Sequence, residues 1–190
     1  MRKQRDERDY RNANLVKKVR FPRIILPVAA VLSNLVGYLL SLVVQFALVA
    51  ALLAARGETL QPASVAVVGI IVFHSLFNLG LALLLSCANV FFRDTQHLVG
   101  VIVNAWFFVS PVMYNLSFVD QVARGAPWVS HSYLLNPLAV IITGYRALIL
   151  PGAAFPWQTA AVGSVLAALA FVALSYVLFE RLEKYFADML

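Results

Sequence analysis

What most constrains this chain is the length of its charge-free stretches. Residues 24–55, 62–92 and 95–119 contain no Asp, Glu, Lys or Arg. A helix of about 20 apolar residues covers a hydrocarbon core of about 30 Å, so the first two stretches can each cross a bilayer with some tilt. The second and third stretches are separated by the pair Arg93-Asp94 alone. A charge at the centre of a bilayer costs roughly 2.5–3.5 kcal/mol per residue on insertion scales, which places this corner at a membrane surface and sends its two arms across in opposite senses. Asp94 can cap the helix that starts at Thr95 while Arg93 meets lipid phosphate, or the pair can form a functional turn.

With 62% hydrophobic and 13% charged residues among 190, the sequence is that of an integral membrane protein, all-α and polytopic. Nine of the fifteen Lys and Arg precede Ile24, and the net charge of +6 is concentrated there, which points to membrane orientation and not to nucleic acid. The single cysteine, Cys87, excludes an intrachain disulfide and reads as a small core residue. No signal peptide is recognisable.

The reading divides a single membrane domain, 1–190, into a cytoplasmic leader (1–23), about four spans (24–55, 62–92, 95–115 and 157–179), an external region (116–156) and a cytoplasmic tail (180–190). In the leader, Leu15, Val16 and Val19 fall on one side of a short amphipathic helix with Lys17, Lys18 and Arg20 around it, ended by Pro22. This helix can lie on lipid or dock on a partner. Asn34, Tyr38, Ser41 and Gln45 share one stripe of the first span, and His74, Asn78 and Asn89 share one of the second. Such stripes hold helices together or line a route. Ser110-Pro111 bends or ends the third span, because proline withdraws a backbone donor.

In the external region Asn136-Pro137 reads as an N-cap followed by proline at the first helical position, opening a segment of thirteen residues that ends at Pro151-Gly152. At about 1.5 Å per residue it reaches about 20 Å, too short to span, and is expected to be re-entrant or interfacial, with Arg146 near headgroup level. The last span opens near Trp157 and carries Ala160, Gly163, Ser164, Ala167 and Ala168, small residues that permit close helix approach. Twelve Lys and Arg against three favour one side, so both termini and the Arg93-Asp94 corner are expected in the cytoplasm.

There is no G-x-x-x-x-G-K-[ST] loop, H-E-x-x-H, G-x-S-x-G or intramembrane carboxylate pair. The residues alone suit a transporter or channel subunit. An alternative is a membrane enzyme acting on a lipid-linked substrate, with His74, His97 or His131 as base.

The ordered set NANLVKKVRFPRIILPVAAVLSNLV, NVFFRDTQHLVGVIVNAWFFVSPVMY, LLNPLAVIITGYRALILPG and FERLEKYFADML closely resembles the permease subunit of type-2 ATP-binding cassette (ABC) exporters, nearest to the branch exporting O-antigen, teichoic acid and capsular polysaccharide. The resemblance implies a non-enzymatic permease without a cofactor of its own, in a bacterial-type plasma (inner) membrane. It would pair with a second copy as a homodimer and with two ATPase subunits that hold ATP and Mg, moving a lipid-linked glycan or polyol phosphate polymer. Leu15, Val16, Lys17, Lys18, Val19, Phe21 and Pro22 then belong to the ATPase-coupling helix, and Arg93 and Asp94 to the second cytoplasmic turn. Tyr38, Gln45, Asn104, Phe107 and Phe108 become candidates for lining the conduit. Ser110, Pro111, Tyr114, Asn136, Pro137 and Arg146 become candidates for the external gate. Family members carry an interface helix and two further spans ahead of the coupling helix, where MRKQRDERDYR stands here, so a late start or a truncated, inactive permease is the remaining alternative.

Overall fold

The computed structural model describes residues 22–60, 65–92, 94–122, 126–153, 155 and 159–186. The leader positions Leu15, Val16, Lys17, Lys18, Val19 and Phe21 lie outside the described residues, as does Arg93; Pro22 and Asp94 lie within them. The described elements are all helical: α1 (Ile25–Ala55), α2 (Val67–Phe91), α3 (Thr95–Val109), the short α4 (Leu116–Val122) and α5 (Pro127–Tyr133), α6 (Pro137–Ile149) and α7 (Thr159–Leu182). A 3-10 turn, Glu183–Tyr185, follows α7.

Among the described residues three segments are long and apolar enough to cross a membrane: α1, α2 and Val162–Tyr185, which is α7 from Val162 onward with its terminal turn. Together with the composition, they make this a multi-pass membrane protein. Helix α3, at 15 residues, is shorter, about 22 Å by its rise, and stops where Ser110-Pro111 follows. Proline offers no N–H to carry the ladder on, and Ser110 before it is already extended, with φ −93° and ψ 149°.

Helix α2 is the hub. It packs most extensively on α7 and also on α1 and α6. Because lipid tails are as apolar as leucine, close van der Waals packing and not exclusion from water must hold such helices together. Gly80 makes that closeness possible: a Cβ there would come within 3.1 Å of both Cα and Cγ2 of Val172 on α7. Along the α2–α7 seam the core falls into three tiers. Leu83, Cys87, Phe179 and Phe186 form one end, Phe77, Ile141 and Ala168 the middle, and Leu134 and Val140 the other end.

Several polar side chains of the long helices, exposed and buried alike, are satisfied by their own helices. Asn34, Ser41, Ser75, Thr143 and Ser175 each donate to the carbonyl four residues earlier, at 2.7–3.0 Å. A group so paired can face lipid or apolar protein without the desolvation penalty of a free one. At the end where α1 starts, the Arg23 guanidinium donates to the Glu183 carbonyl at 3.0 Å and lies 5.8 Å from the centre of the Phe186 ring. The chain's first described turn is thereby tied to its last.

The Gly80 contact has a measurable consequence. Gly80→Leu is expected to lower the melting temperature of the purified chain, since overpacking typically costs about 1–3 kcal/mol. Gly37→Leu, on an α1 face where an added Cβ meets nothing within 4 Å, is expected to melt like the parent. Equal melting of the two variants would mean that α2 and α7 do not meet at Gly80.

Candidate functional site

The end of α3 leaves carbonyl groups that its own helix no longer uses, and two side chains of the α6 segment take up this stretch. Asn136 is the N-cap of α6: its side-chain oxygen accepts from the Leu138 amide at 3.1 Å, while Pro137 occupies the first turn. The same oxygen accepts from Trp106 Nε1 at 3.0 Å, and the Asn136 amide nitrogen donates to Ser110 Oγ at 3.1 Å. One side chain thus joins the cap of α6, the indole of α3 and the buried residue at which α3 ends.

At the other end of α6, Arg146 reaches back to the same segment. Its Nη1 donates to the Tyr114 carbonyl and its Nη2 to the Val112 carbonyl, both at 2.7 Å. A planar guanidinium can serve two carbonyls in a fixed fork, which a lysine ammonium cannot do with the same geometry. The Tyr114 hydroxyl bonds the Phe108 carbonyl at 3.2 Å and the Tyr133 hydroxyl of α5. Burial and the bond to Tyr114 push the Tyr133 phenol above its ordinary range, so Tyr133 stays neutral. Ser164 on α7, fully buried, donates to the Leu135 carbonyl at 3.2 Å and anchors the junction to the bundle.

The six candidate gate residues, Ser110, Pro111, Tyr114, Asn136, Pro137 and Arg146, therefore converge in one hydrogen-bonded junction between α3, α5 and α6. Sequence reasoning did not single out Trp106 or Tyr133, which complete it together with Ser164, read from the sequence only as a small residue permitting close helix approach. The readable signal for Trp106 was that a partly buried indole N–H needs an acceptor.

The five conduit candidates fall on two surfaces. Tyr38 and Gln45 line a cavity of about 380 Å³ between α1 and α6, together with Phe46, Tyr145 and Arg146. Asn104, Phe107 and Phe108 lie exposed on α3, where the two phenylalanine rings meet edge to face at 5.5 Å. The His74 ring sits between Tyr38 and Tyr145, at 5.3 and 6.3 Å. Asn78 and Asn89, on its sequence stripe, are exposed, as is His97. The side chain of His131 lies outside the described residues. Among the described residues no three His, Cys, Asp or Glu side chains gather in a way that could hold a metal ion. Asp94 precedes α3 without a side-chain cap bond; instead the Thr95 hydroxyl donates to the Phe92 carbonyl at 2.7 Å.

Residues 7–150 match the family described as ABC-2 type transporter. The O-antigen export system permease protein RfbA of Myxococcus xanthus is 36% identical over 136 residues, which are 71% of this chain and 49% of that protein. Two permeases of the same description from Klebsiella pneumoniae are each 27% identical, over 144 and 142 residues, covering 74% of this chain and 51% of theirs. The chain thus spans about half the length of the curated relatives it matches.

The indole–amide bond can be isolated by a double-mutant cycle. Trp106→Phe and Asn136→Ala are each expected to destabilise the purified chain, the second by more because it also removes the cap, worth about 0.5–2 kcal/mol. The double variant is expected to fall short of the sum by about 1 kcal/mol, the net value of one hydrogen bond. Strict additivity in unfolding measurements would mean that the indole and the amide are not bonded.

Proposed function

The chain belongs to the ABC-2 type transporter family, and on that premise we propose that it is the permease of an ABC exporter that moves a lipid-linked polysaccharide or polyol phosphate polymer across the bacterial inner membrane. The observations that carry this are the match of residues 7–150, a stretch that contains the junction of α3 with α6, to the ABC-2 type transporter family, and the similarity to proteins named as O-antigen export system permeases. The substrate class rests on those names, and the polar junction is compatible with it.

In this reading the permease works as a homodimer with two copies of an ATPase subunit, which bind ATP and Mg and perform the hydrolysis. The sequence has no phosphate-binding loop of its own. Both termini and the Arg93-Asp94 turn face the cytoplasm, as the excess of Lys and Arg on that side favours. The junction then belongs to the external gate. Arg146 and Asn136 make α6 and the end of α3 one body, so a displacement of α3 is transmitted to the gate and not absorbed in a loose connection. The exposed Asn104, Phe107 and Phe108 face the polymer route, and Tyr38 and Gln45 lie beside it.

Topology is open to a direct check. In a Cys87→Ala background, a thiol at Glu58 is expected to react with an impermeant reagent in intact cells and one at Gln4 is not. The reverse pattern would invert the orientation.

Coupling gives a sharper one. Residues 12–22 are proposed to dock on the ATPase with Leu15, Val16, Val19 and Phe21 in a groove and Lys17, Lys18 and Arg20 at its rim. Burying a Leu or Val is worth roughly 1.5–3 kcal/mol, an exposed rim charge about 0–1. Leu15→Asp with Val19→Asp is therefore expected to release the ATPase on co-purification far more than Lys17→Gln with Lys18→Gln. A leader that only bound anionic lipid would show the opposite order, since there each basic residue supplies about 1 kcal/mol.

A further inference from the structure

The cavity between α1 and α6 carries three polar groups whose needs the protein meets incompletely. The Tyr145 hydroxyl is buried and completes no hydrogen bond, although the phenol of Tyr38 lies close by. The Arg146 guanidinium is held and oriented by two carbonyls, and among the described residues it has no carboxylate partner. Only two of its five N–H groups are used by those bonds. The Gln45 amide stands exposed at the rim, on a helix long and apolar enough to cross a membrane. The rest of the wall is apolar and aromatic, including Leu42, Phe46, Val49 and Ile142.

A fixed cation and a phenol on the α6 wall facing a free amide on the α1 wall, among apolar side chains, are complementary to an amphiphile bearing an anionic, multiply accepting headgroup. Phosphate has that chemistry, and guanidinium is the side chain best suited to it. The volume of about 380 Å³ is in the range of a small-molecule site and is far too small for a polymer. Outside it, α1 continues with exposed Val43, Val44 and Leu48, a surface on which an alkyl chain can lie. We propose that this cavity is a binding site for the phosphate headgroup of a bilayer phospholipid, held by Arg146, Tyr145 and Gln45. It makes the lipid a bridge between α1 and the body formed by α6 and the end of α3. The proposal does not depend on the export reading, and its test measures no transport.

The experiment is native mass spectrometry of the full chain, released from detergent with added phosphatidylglycerol. The parent is expected to retain one lipid per chain, undiminished by millimolar inorganic phosphate. Tyr145→Phe and Gln45→Leu leave the Arg146–carbonyl bonds untouched, and each is expected to weaken retention roughly three- to tenfold, the range of one hydrogen bond. Arg146→Gln is expected to abolish it. Equal retention in the parent and both conservative variants would identify non-specific boundary lipid and overturn the proposal. So would equal retention of a phosphate-free glycosyl diacylglycerol, which would mean that the cavity reads hydroxyl groups. Displacement by inorganic phosphate would mean that the alkyl chain contributes nothing and the site is one for free phosphate.

Discussion

The junction depends on one constraint: in a membrane protein, backbone groups released where a helix stops must find partners within the protein or at a water-filled surface. Helix α3 stops at Val109, well short of the length of α1 or α2. The segment after it presents the carbonyls of Val112 and Tyr114, and Arg146 supplies both donors. Asn136 answers at the opposite end of α6 by serving Trp106, Ser110 and its own helix cap together. A helix of thirteen residues, seven of them buried, is bonded through both of its ends to one turn, so packing and polar ties position it together. The ties also differ in kind. Among the described residues Arg146 binds main chain, so it fixes the path of the turn whatever side chains stand there, while Asn136 is specific to an indole and a hydroxyl.

The rest of the bundle is held by closeness. Gly80 against Val172, and Gly144 where a Cβ would meet Ile70 Cδ1 at 2.8 Å, bring α7 and α6 onto α2 at distances that side chains would prevent. Small residues are effective here because packing, not desolvation, distinguishes a protein neighbour from a lipid one. The buried serines of α7 obey the same rule. Ser175 returns its proton to its own helix, and Ser164 gives its proton to Leu135, so each is small enough for contact and neither leaves a donor stranded.

Much of this was legible in the sequence, and the reasons are local. The charge-free runs mark α1 and α2 because hydrocarbon tolerates nothing else over that length. The break after α3 is written in Ser110-Pro111, and the start of α6 in Asn136-Pro137, since both are statements about a single backbone donor. Stripes were less informative. Asn34 and Ser41 share a face with Tyr38 and Gln45, yet the first two bond their own helix while the latter two reach a cavity. Helical periodicity gives direction but not neighbours. For the same reason Tyr38 and Gln45 could not be separated in advance from Asn104, Phe107 and Phe108: that separation is a matter of how α1 and α3 are placed around α2. The role of Arg146 was half readable. A cation near a helix end suits the dipole and the interface, but which carbonyls it would find depends on a turn more than thirty residues earlier in the chain.

Helix α1 is attached to the bundle through few contacts. Of its 31 residues only Leu42 and Leu53 are buried, and most of its large apolar side chains face outward. In water such a helix would be unstable. In lipid the exposure has almost no cost, because a leucine against an acyl chain is as well solvated as a leucine against protein. What holds α1 in place is then a short set of specific contacts: Arg23 on Glu183 and Phe186 at one end, the edge of Tyr38 against His74 in the middle, and Leu53 at the other end. Between the last two lies the cavity shared with α6, which Leu42, the other buried residue of α1, helps to line. Whatever fills that cavity acts on the spacing between α1 and the body that contains Arg146. Through the two carbonyls that Arg146 holds, a change in that spacing reaches the end of α3 directly.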